Sequence, residues 1–140
     1  MKRRGIVGVL TLLTMVFAAP AQAATVEYNV AVDHYVSCSE RIEKSWGSGC
    51  YKPTGDYFWV TDDSSDGYST GVIWRHPSTG REGICRNKDG FLGGGVRTCN
   101  KDFPENTKIR FRIARCDGAA HSCKSIGHWV SSSGTLEVTT

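Results

Sequence analysis

Six cysteines constrain the fold of this chain more than any other feature of its sequence. They are Cys38, Cys50, Cys85, Cys99, Cys116 and Cys123. Such a set can hold zinc or form disulfides, depending on spacing and on the cellular compartment. The closest pair, Cys116 and Cys123, is spaced more widely than the C-x2-C pairs of zinc sites. We therefore expect disulfides, with no metal and no other cofactor.

The first 23 residues have the features of a secretory signal peptide. Lys2, Arg3 and Arg4 precede the apolar run 6–19, and AQA at 21–23 is a small-residue cleavage site. The apolar run is too short for a membrane span. We expect cleavage after Ala23, and residues 24–140 are then predicted to be a single secreted, extracellular β-domain.

Export provides an oxidising compartment, where an even number of cysteines indicates a disulfide framework. The sequence leaves many pairings open. We adopt the pairing of sequence neighbours, which is Cys38 with Cys50, Cys85 with Cys99 and Cys116 with Cys123. Each bridge is expected to stabilise the fold by roughly 2–4 kcal/mol.

The charge of the chain bears on its partners. The formal net charge of +3 reflects 17 basic and 14 acidic side chains, and three of the basic ones are Lys2, Arg3 and Arg4. Residues 24–140 are therefore balanced in charge. Because nucleic acids and anionic membranes attract strongly basic surfaces, we expect neither as a partner.

The segment 24–36 contains the clearest strand. In VEYNVAVDHYV, the side chains of Val26, Tyr28, Val30 and Val32 alternate with those of a second face. A period of two predicts a half-buried strand, here an extended N-terminal strand over 24–36.

The rest of the chain is predicted to be mainly β. SERIEKSWG (39–47) predicts one short helix, capped by Ser39 and with Ile42 and Trp46 facing inward. Strands are predicted at 56–61, 68–76, 83–87, 96–100, 107–116, 125–131 and 134–140. Short strands between turn clusters indicate an all-β fold, a disulfide-stapled antiparallel β-sandwich or small barrel with one short helix at most.

Two stretches resemble functional motifs but are interpreted as turns. DDSSDGYSTG (62–71) starts like a calcium loop, yet the position of its closing glutamate is Ile73. It also contains G-x-S-x-G around Ser69, but a β-branched strand follows instead of a helix. We predict a hairpin turn at 62–67. The glycine cluster GFLGGGVR (90–97) predicts tight turns in a hairpin bridged by Cys85 and Cys99.

The histidines leave an enzyme open as an alternative. A small secreted nuclease would use a histidine as acid or base and an arginine on the phosphate. His76 with Arg75 and Glu82, or His128 with Arg110, could be arranged in this way. Nothing in their spacing requires it, and we predict no catalytic residues.

Two surface features are candidates for binding. The row Lys108, Arg110 and Arg112 faces outward from an alternating strand and could bind an anionic partner, although a solvent-facing row needs no function. One set of large aromatic side chains could form a protein or sugar surface, with core packing as the alternative. These aromatic residues are Trp46, Tyr57, Phe58, Trp59, Tyr68, Trp74 and Trp129.

The chain resembles a known family of proteins over two segments, TGREGICRNKDGFLGGGVRTCNKDFPENTKIRFRIARCDG (79–118) and HSCKSIGHW (121–129). The resemblance rests on the two cysteines around a glycine-rich loop, on the stretch DFPENTKIRFRIARC, and on the later Cys123 and Trp129. The family that the chain resembles consists of small exported actinobacterial β-proteins. These are the adaptor subunits (UmbB) of Streptomyces umbrella toxin particles. The resemblance implies a non-catalytic adaptor that links a repeat-bearing toxin subunit to a lectin-like subunit with a trypsin-like fold. It also implies that the segment 24–36 enters a cleft on the lectin.

A long alternating strand at this place is suited to β-augmentation, in which it adds to the sheet of another chain. The alternative is an ordinary edge strand of its own sheet. We predict Val26, Tyr28, Val30 and Val32 as partner-binding residues, with Lys108, Arg110 and Arg112 as a second set. Two other functions stay open, a secreted protease inhibitor that presents the loop 86–97 and the small nuclease described above.

Overall fold

The computed structural model describes residues 25–38 and 40–140, and the expected signal peptide lies outside them. Ten strands form two five-stranded sheets that pack face to face. The strands are β1 (Glu27–Val30), β2 (Val32–Asp33), β3 (Glu40–Lys44), β4 (Gly47–Lys52), β5 (Tyr57–Asp62), β6 (Tyr68–Arg75), β7 (Glu82–Arg86), β8 (Arg97–Asn100), β9 (Lys108–Asp117) and β10 (Leu136–Thr139). The helical elements of the described chain are two short 3-10 turns, Phe91–Gly93 and Ile126–His128.

The strand order is β1-β7-β6-β9-β10 in the first sheet and β2-β8-β5-β4-β3 in the second. All neighbours pair antiparallel except β1 and β7, which are parallel. The prediction of an all-β sandwich is confirmed, and the sheets do not close into a barrel. Within the described residues there is no helix whose length and hydropathy would let it cross a bilayer.

The three predicted disulfides are confirmed. Their positions in the sandwich differ from the expectation in one respect. Cys85 lies on β7 and Cys99 on β8, and these strands belong to different sheets. The bridge therefore fastens one sheet to the other, and the predicted bridged hairpin is wrong. The bridge from Cys116 to Cys123 closes a loop that follows β9.

The prediction of a hairpin at 62–67 is wrong, because this turn crosses from one sheet to the other. It joins β5 to β6, but β5 belongs to the second sheet and β6 to the first. Asp62 begins the turn and is 6% exposed, and its carboxylate accepts hydrogen bonds from the backbone nitrogens of Ser64 at 3.4 Å and Thr70 at 3.1 Å. Turn chemistry is the same for hairpins and for crossings, so the sequence could not separate them.

The predicted helix at 39–47 is wrong, because residues 40–44 form β3 in a hairpin with β4. A helix of this length forms few hydrogen bonds compared with the backbone entropy that it loses, whereas β3 extends an existing sheet. The strand predicted at 125–131 is wrong as well. Its residues form the turn Ile126–His128 and a single bridge from Val130 to Arg115.

The main core lies between the sheets. Ile109, Phe111 and Ile113 alternate inward from β9, as predicted, and are at most 1% exposed. Phe58 and Trp74 stack at their centre, with ring centroids 5.8 Å apart. The large aromatics singled out from the sequence are all buried or half-buried, so core packing, the alternative to an aromatic binding surface, accounts for them.

A second, smaller cluster lies on the outer face of the first sheet. Trp129 covers Gly71 there, and both sit beside the bridge from Cys116 to Cys123. A β-carbon on Gly71 would lie only 2.4 Å from the indole, so the strand needs glycine at this position. The last glycine of the G-x-S-x-G pattern is thus explained by packing.

Candidate functional site

The N-terminal segment crosses from one sheet to the other. β1 pairs with β7 at the edge of the first sheet, and β2 pairs with β8 at the edge of the second. Ala31 lies at the crossing, is 4% exposed, and donates its backbone N–H to the carbonyl of Arg86 at 2.8 Å. The segment predicted as one extended strand is therefore an edge strand of both sheets in turn.

A charged cluster holds β1 in place. The Glu27 carboxylate accepts hydrogen bonds from Arg81 at 2.7 and 3.2 Å and from Lys101 at 2.9 Å. The Lys101 ammonium also contacts the Asn29 side chain and lies 4.9 Å from the centre of the Trp74 ring. The hydrogen bond from Arg81, followed by the contact with Lys101, holds the pKa of Glu27 below its usual value. The ionised carboxylate thus stabilises the docked strand.

The four predicted partner-binding residues of the segment fall into two pairs. Val26 and Tyr28 are half-buried against the second cluster, and the Tyr28 hydroxyl lies 3.4 Å from an Arg86 nitrogen. Val30 and Val32 are 45% and 63% exposed. Only the second pair is available to a partner without rearrangement of the fold.

Three further exposed apolar residues lie in the segment after β2 and in the loop that joins β7 to β8, and sequence reasoning did not find them. Tyr35 follows β2 and is 75% exposed. Phe91 and Leu92, at 49% and 91% exposed, form the tip of the loop that joins β7 to β8. The signal in the sequence was an apolar pair enclosed by Gly90 and Gly94, which both adopt positive φ angles.

Arg97 connects the loop to the N-terminal segment. Its guanidinium lies 3.3 Å from the carboxylate of Asp33 on β2 and 3.3 Å from that of Asp89 in the loop. It also donates to the carbonyl of Gly93 at 3.0 Å. One side chain thus fixes both segments to β8. We name the exposed set Val30, Val32, Tyr35, Phe91 and Leu92 the N-terminal edge surface.

The predicted basic row lies on another surface. Lys108, Arg110 and Arg112 point outward from β9, which is separated from β1 by β6 and β7. Lys108 donates to Thr139 at 2.9 Å, Arg110 to Glu137 at 2.7 Å and Arg112 to Ser132 at 2.7 Å. The two predicted sets of binding residues therefore do not form one site.

The histidines considered for a nuclease occupy other environments. His76 is fully buried, and its ring nitrogens lie 2.7 Å from the Thr107 hydroxyl and 2.8 Å from the Thr79 hydroxyl. Burial, aided by the positive charge of Arg81, lowers the pKa of His76 below its usual value. His128 stacks on His121 with centroids 4.6 Å apart. A buried imidazole with both nitrogens engaged does not reach a substrate phosphate.

The loop considered for a protease inhibitor has a turn at its tip. Phe91–Gly93 forms a 3-10 turn, and the carbonyl of Gly90 accepts the N–H of Gly93 at 3.3 Å. A peptide that binds as an added strand is extended instead. The exposed tip therefore fits a pocket on a partner better than a strand-binding cleft.

The serine and acidic residues of DDSSDGYSTG also have structural partners. Ser69 is 7% exposed, and its hydroxyl accepts a hydrogen bond from buried Arg86 at 2.9 Å. Asp66 accepts from Arg115 at 2.7 Å. In the described part of the chain, no three His, Cys, Asp or Glu side chains form a group that could hold a metal ion.

Comparison of the chain with protein families, with curated proteins and with solved structures finds no match.

Proposed function

We propose that this chain is a secreted, non-catalytic binding protein, and that it serves as an adaptor subunit joining other proteins in an extracellular antibacterial toxin complex. The observation that carries the binding role is the N-terminal edge surface. Its five apolar side chains are between 45% and 91% exposed. They lie in the N-terminal segment and in the loop of 87–96, which both cross between the sheets and which Arg97 joins through Asp33 and Asp89.

Two physical arguments support a protein partner for this surface. Large exposed apolar patches mark protein-interaction sites, and these five residues lie in two segments that Arg97 ties together. The edges of β1 and β2 also leave backbone groups to which an extended segment can add. Three disulfides are typical of proteins that act in an oxidising compartment, which supports the secreted location.

The toxin complex rests on the resemblance described above. That resemblance supplies the expected companions, a repeat-bearing toxin subunit and a lectin-like subunit. It also places the contact with the lectin in the segment 24–36, which contains Val30 and Val32.

The proposal is tested by affinity purification of the tagged chain from culture supernatant, followed by mass spectrometry. We expect repeat-rich and lectin-like companions with the unmodified chain. Val32→Asp places a charge on the N-terminal edge surface and is expected to lose them, because an unpaired charge in an apolar contact is costly.

Val130→Asp is the matched control, since Val130 is 50% exposed and lies outside the N-terminal edge surface. It is expected to retain the companions. Recovery of a lone monomer with the unmodified chain would overturn the adaptor role. Equal loss with both variants would overturn the assignment of the binding surface.

A further inference from the structure

A groove on the outer face of the first sheet concentrates arginines. It has a volume of about 280 Å³, and its wall includes Ile73, Arg75, Arg110, Arg112 and Ile126. We name these five residues the arginine groove. Arg75 on β6 and Arg110 on β9 stand directly opposite each other, and Ile73 stands opposite Arg112. Two like charges in opposed positions of neighbouring strands destabilise a sheet.

The carboxylates nearby compensate this charge only in part. Across four strands the register gives the row Glu82, Arg75, Arg110 and Glu137. Glu137 accepts a hydrogen bond from Arg110 at 2.7 Å. In the described structure neither Arg75 nor Arg112 forms an ion pair with a carboxylate.

Arg112 is the least exposed arginine of the groove. It is half-buried, and it donates a hydrogen bond to the neutral hydroxyl of Ser132 at 2.7 Å. Burial lowers the pKa of the Arg112 guanidinium below its usual value, in line with the absence of a carboxylate partner in the described structure. A bound anion would supply the missing negative charge, and the planar guanidinium can donate two parallel hydrogen bonds to a carboxylate.

We propose that the arginine groove binds a carboxylate of a polypeptide partner, an aspartate or glutamate side chain flanked by apolar residues. The two kinds of side chain that line the groove correspond to these two parts of the ligand. The guanidiniums of Arg75 and Arg112 take the carboxylate, and Ile73 and Ile126 take the apolar neighbours.

The charge pattern selects a single carboxylate over a polyanion. Glu82 and Glu137 close both ends of the row, so a chain of phosphates or sulfates laid along it meets negative charge on either side. One carboxylate seated between them lies in the part of the groove that Arg75, Arg110 and Arg112 line. This surface extends the proposed binding role to a second contact, but it does not depend on the N-terminal edge surface.

The test is an NMR titration of the purified, isotope-labelled chain with two short peptides. The first is acetyl-Leu-Glu-Leu-amide and the second is its neutral counterpart, acetyl-Leu-Gln-Leu-amide. We expect the glutamate peptide to shift the side-chain Nε–Hε signals of Arg75, Arg110 and Arg112, with a Kd of about 1 mM or tighter. The glutamine peptide is expected to bind about tenfold more weakly, because charge-assisted hydrogen bonds are about twice as strong as neutral ones.

Four variants sharpen the test. Arg75→Gln and Arg112→Gln are each expected to weaken the glutamate peptide about tenfold. Glu137→Gln is expected to strengthen it, since this substitution releases Arg110 from its ion pair. Arg41→Gln removes an exposed arginine of β3, on the other sheet, and is expected to change nothing. The dispersion of the backbone amide signals reports whether each variant is folded. If Arg112→Gln does not fold, Arg75→Gln alone tests whether the arginines bind the glutamate peptide.

Three outcomes overturn the proposal. Equal binding of the two peptides would leave an apolar groove without carboxylate recognition. Inorganic phosphate that binds as tightly as the glutamate peptide would make the groove a general anion site. Absence of shifts at about 10 mM peptide, well above the expected Kd, would leave no site at all. None of these results depends on companions from the culture supernatant, so this test and that of the adaptor role fail independently.

Discussion

The Glu27 carboxylate accepts two hydrogen bonds from the Arg81 guanidinium, at 2.7 and 3.2 Å, across 54 positions of sequence. This pair fastens the first strand of the described chain to the turn before β7. We predict that Glu27→Gln lowers the free energy of unfolding by about 2 kcal/mol, because it leaves Arg81 and the nearly buried Lys101 without their carboxylate. Chemical denaturation near neutral pH measures the loss.

The same substitution carries a pH signature. The folded-state pKa of Glu27 is lowered, so its stabilisation is present above the usual pKa of about 4.5 and disappears as the pH falls through the lower folded value. The unmodified chain and Glu27→Gln should therefore converge in stability at strongly acidic pH. Glu43→Gln, which removes an exposed partner of Arg41, is the control and should cost well under about 1 kcal/mol. A loss that is equally large in both variants would contradict the anchoring role.

The three disulfides should differ in their resistance to reduction. Cys85, Cys99, Cys116 and Cys123 are at most 4% exposed, whereas Cys38 is half-buried in the segment between β2 and β3. Since a thiolate must reach a sulfur atom to attack it, we predict that a mild reductant opens the bridge from Cys38 to Cys50 first. Timed alkylation and mass spectrometry identify the modified cysteines. Earlier labelling of Cys85 or Cys116 would contradict the prediction.

The contact between Gly71 and Trp129 predicts a strong effect of one methyl group. Gly71→Ala places a β-carbon 2.4 Å from the Trp129 ring, and the Trp129 indole N–H donates to the Cys123 carbonyl at 3.0 Å. We expect a loss of about 1–3 kcal/mol in unfolding free energy and a shift of tryptophan fluorescence toward that of a more exposed indole.

Gly134→Ala is the matched control, because a β-carbon there meets no atom within 4 Å. It should leave the free energy of unfolding and the fluorescence spectrum nearly unchanged. If Gly71→Ala behaves in the same way, the indole is not held against the sheet in solution.

His76 predicts a second pH dependence. Its folded-state pKa is lowered by burial, so protonation favours the unfolded chain. The contribution of neutral His76 to stability is complete above its usual pKa of about 6.5. It declines as the pH falls from there toward the lower pKa of the folded state. We expect the unfolding free energy to decrease as the pH falls below about 6.5 and His76→Gln to show a flatter profile. Parallel profiles for the two proteins would exclude His76 as the cause.

Local patterns in the sequence were sufficient to predict those strands whose two faces differ in polarity. β9 is an example, since Ile109, Phe111 and Ile113 alternate with charged side chains and point into the core. Residues 40–44 show the opposite case. Ile42 and Trp46 have helical spacing, but the available edge of β4 decides the conformation, and this edge is not a local property.

The candidate site could be predicted only in part. The alternation of the N-terminal segment pointed to Val30 and Val32, which are exposed, and to Val26 and Tyr28, which are half-buried. These pairs differ because the chain changes sheets at Ala31, and alternation contains no sign of this change. The exposure of Leu92 likewise depends on where the loop of 87–96 crosses the sandwich.

The pairing of β1 with β7 has a consequence for the order in which the chain can fold. A ribosome makes Glu27 long before Gly83, its partner in the parallel ladder, and β2 must likewise await β8. The two N-terminal strands therefore find their own partners only after β3 to β6 have been made. Throughout that interval the segment is an unpaired strand, and its ladders in both sheets are contacts of long sequence separation, which form slowly.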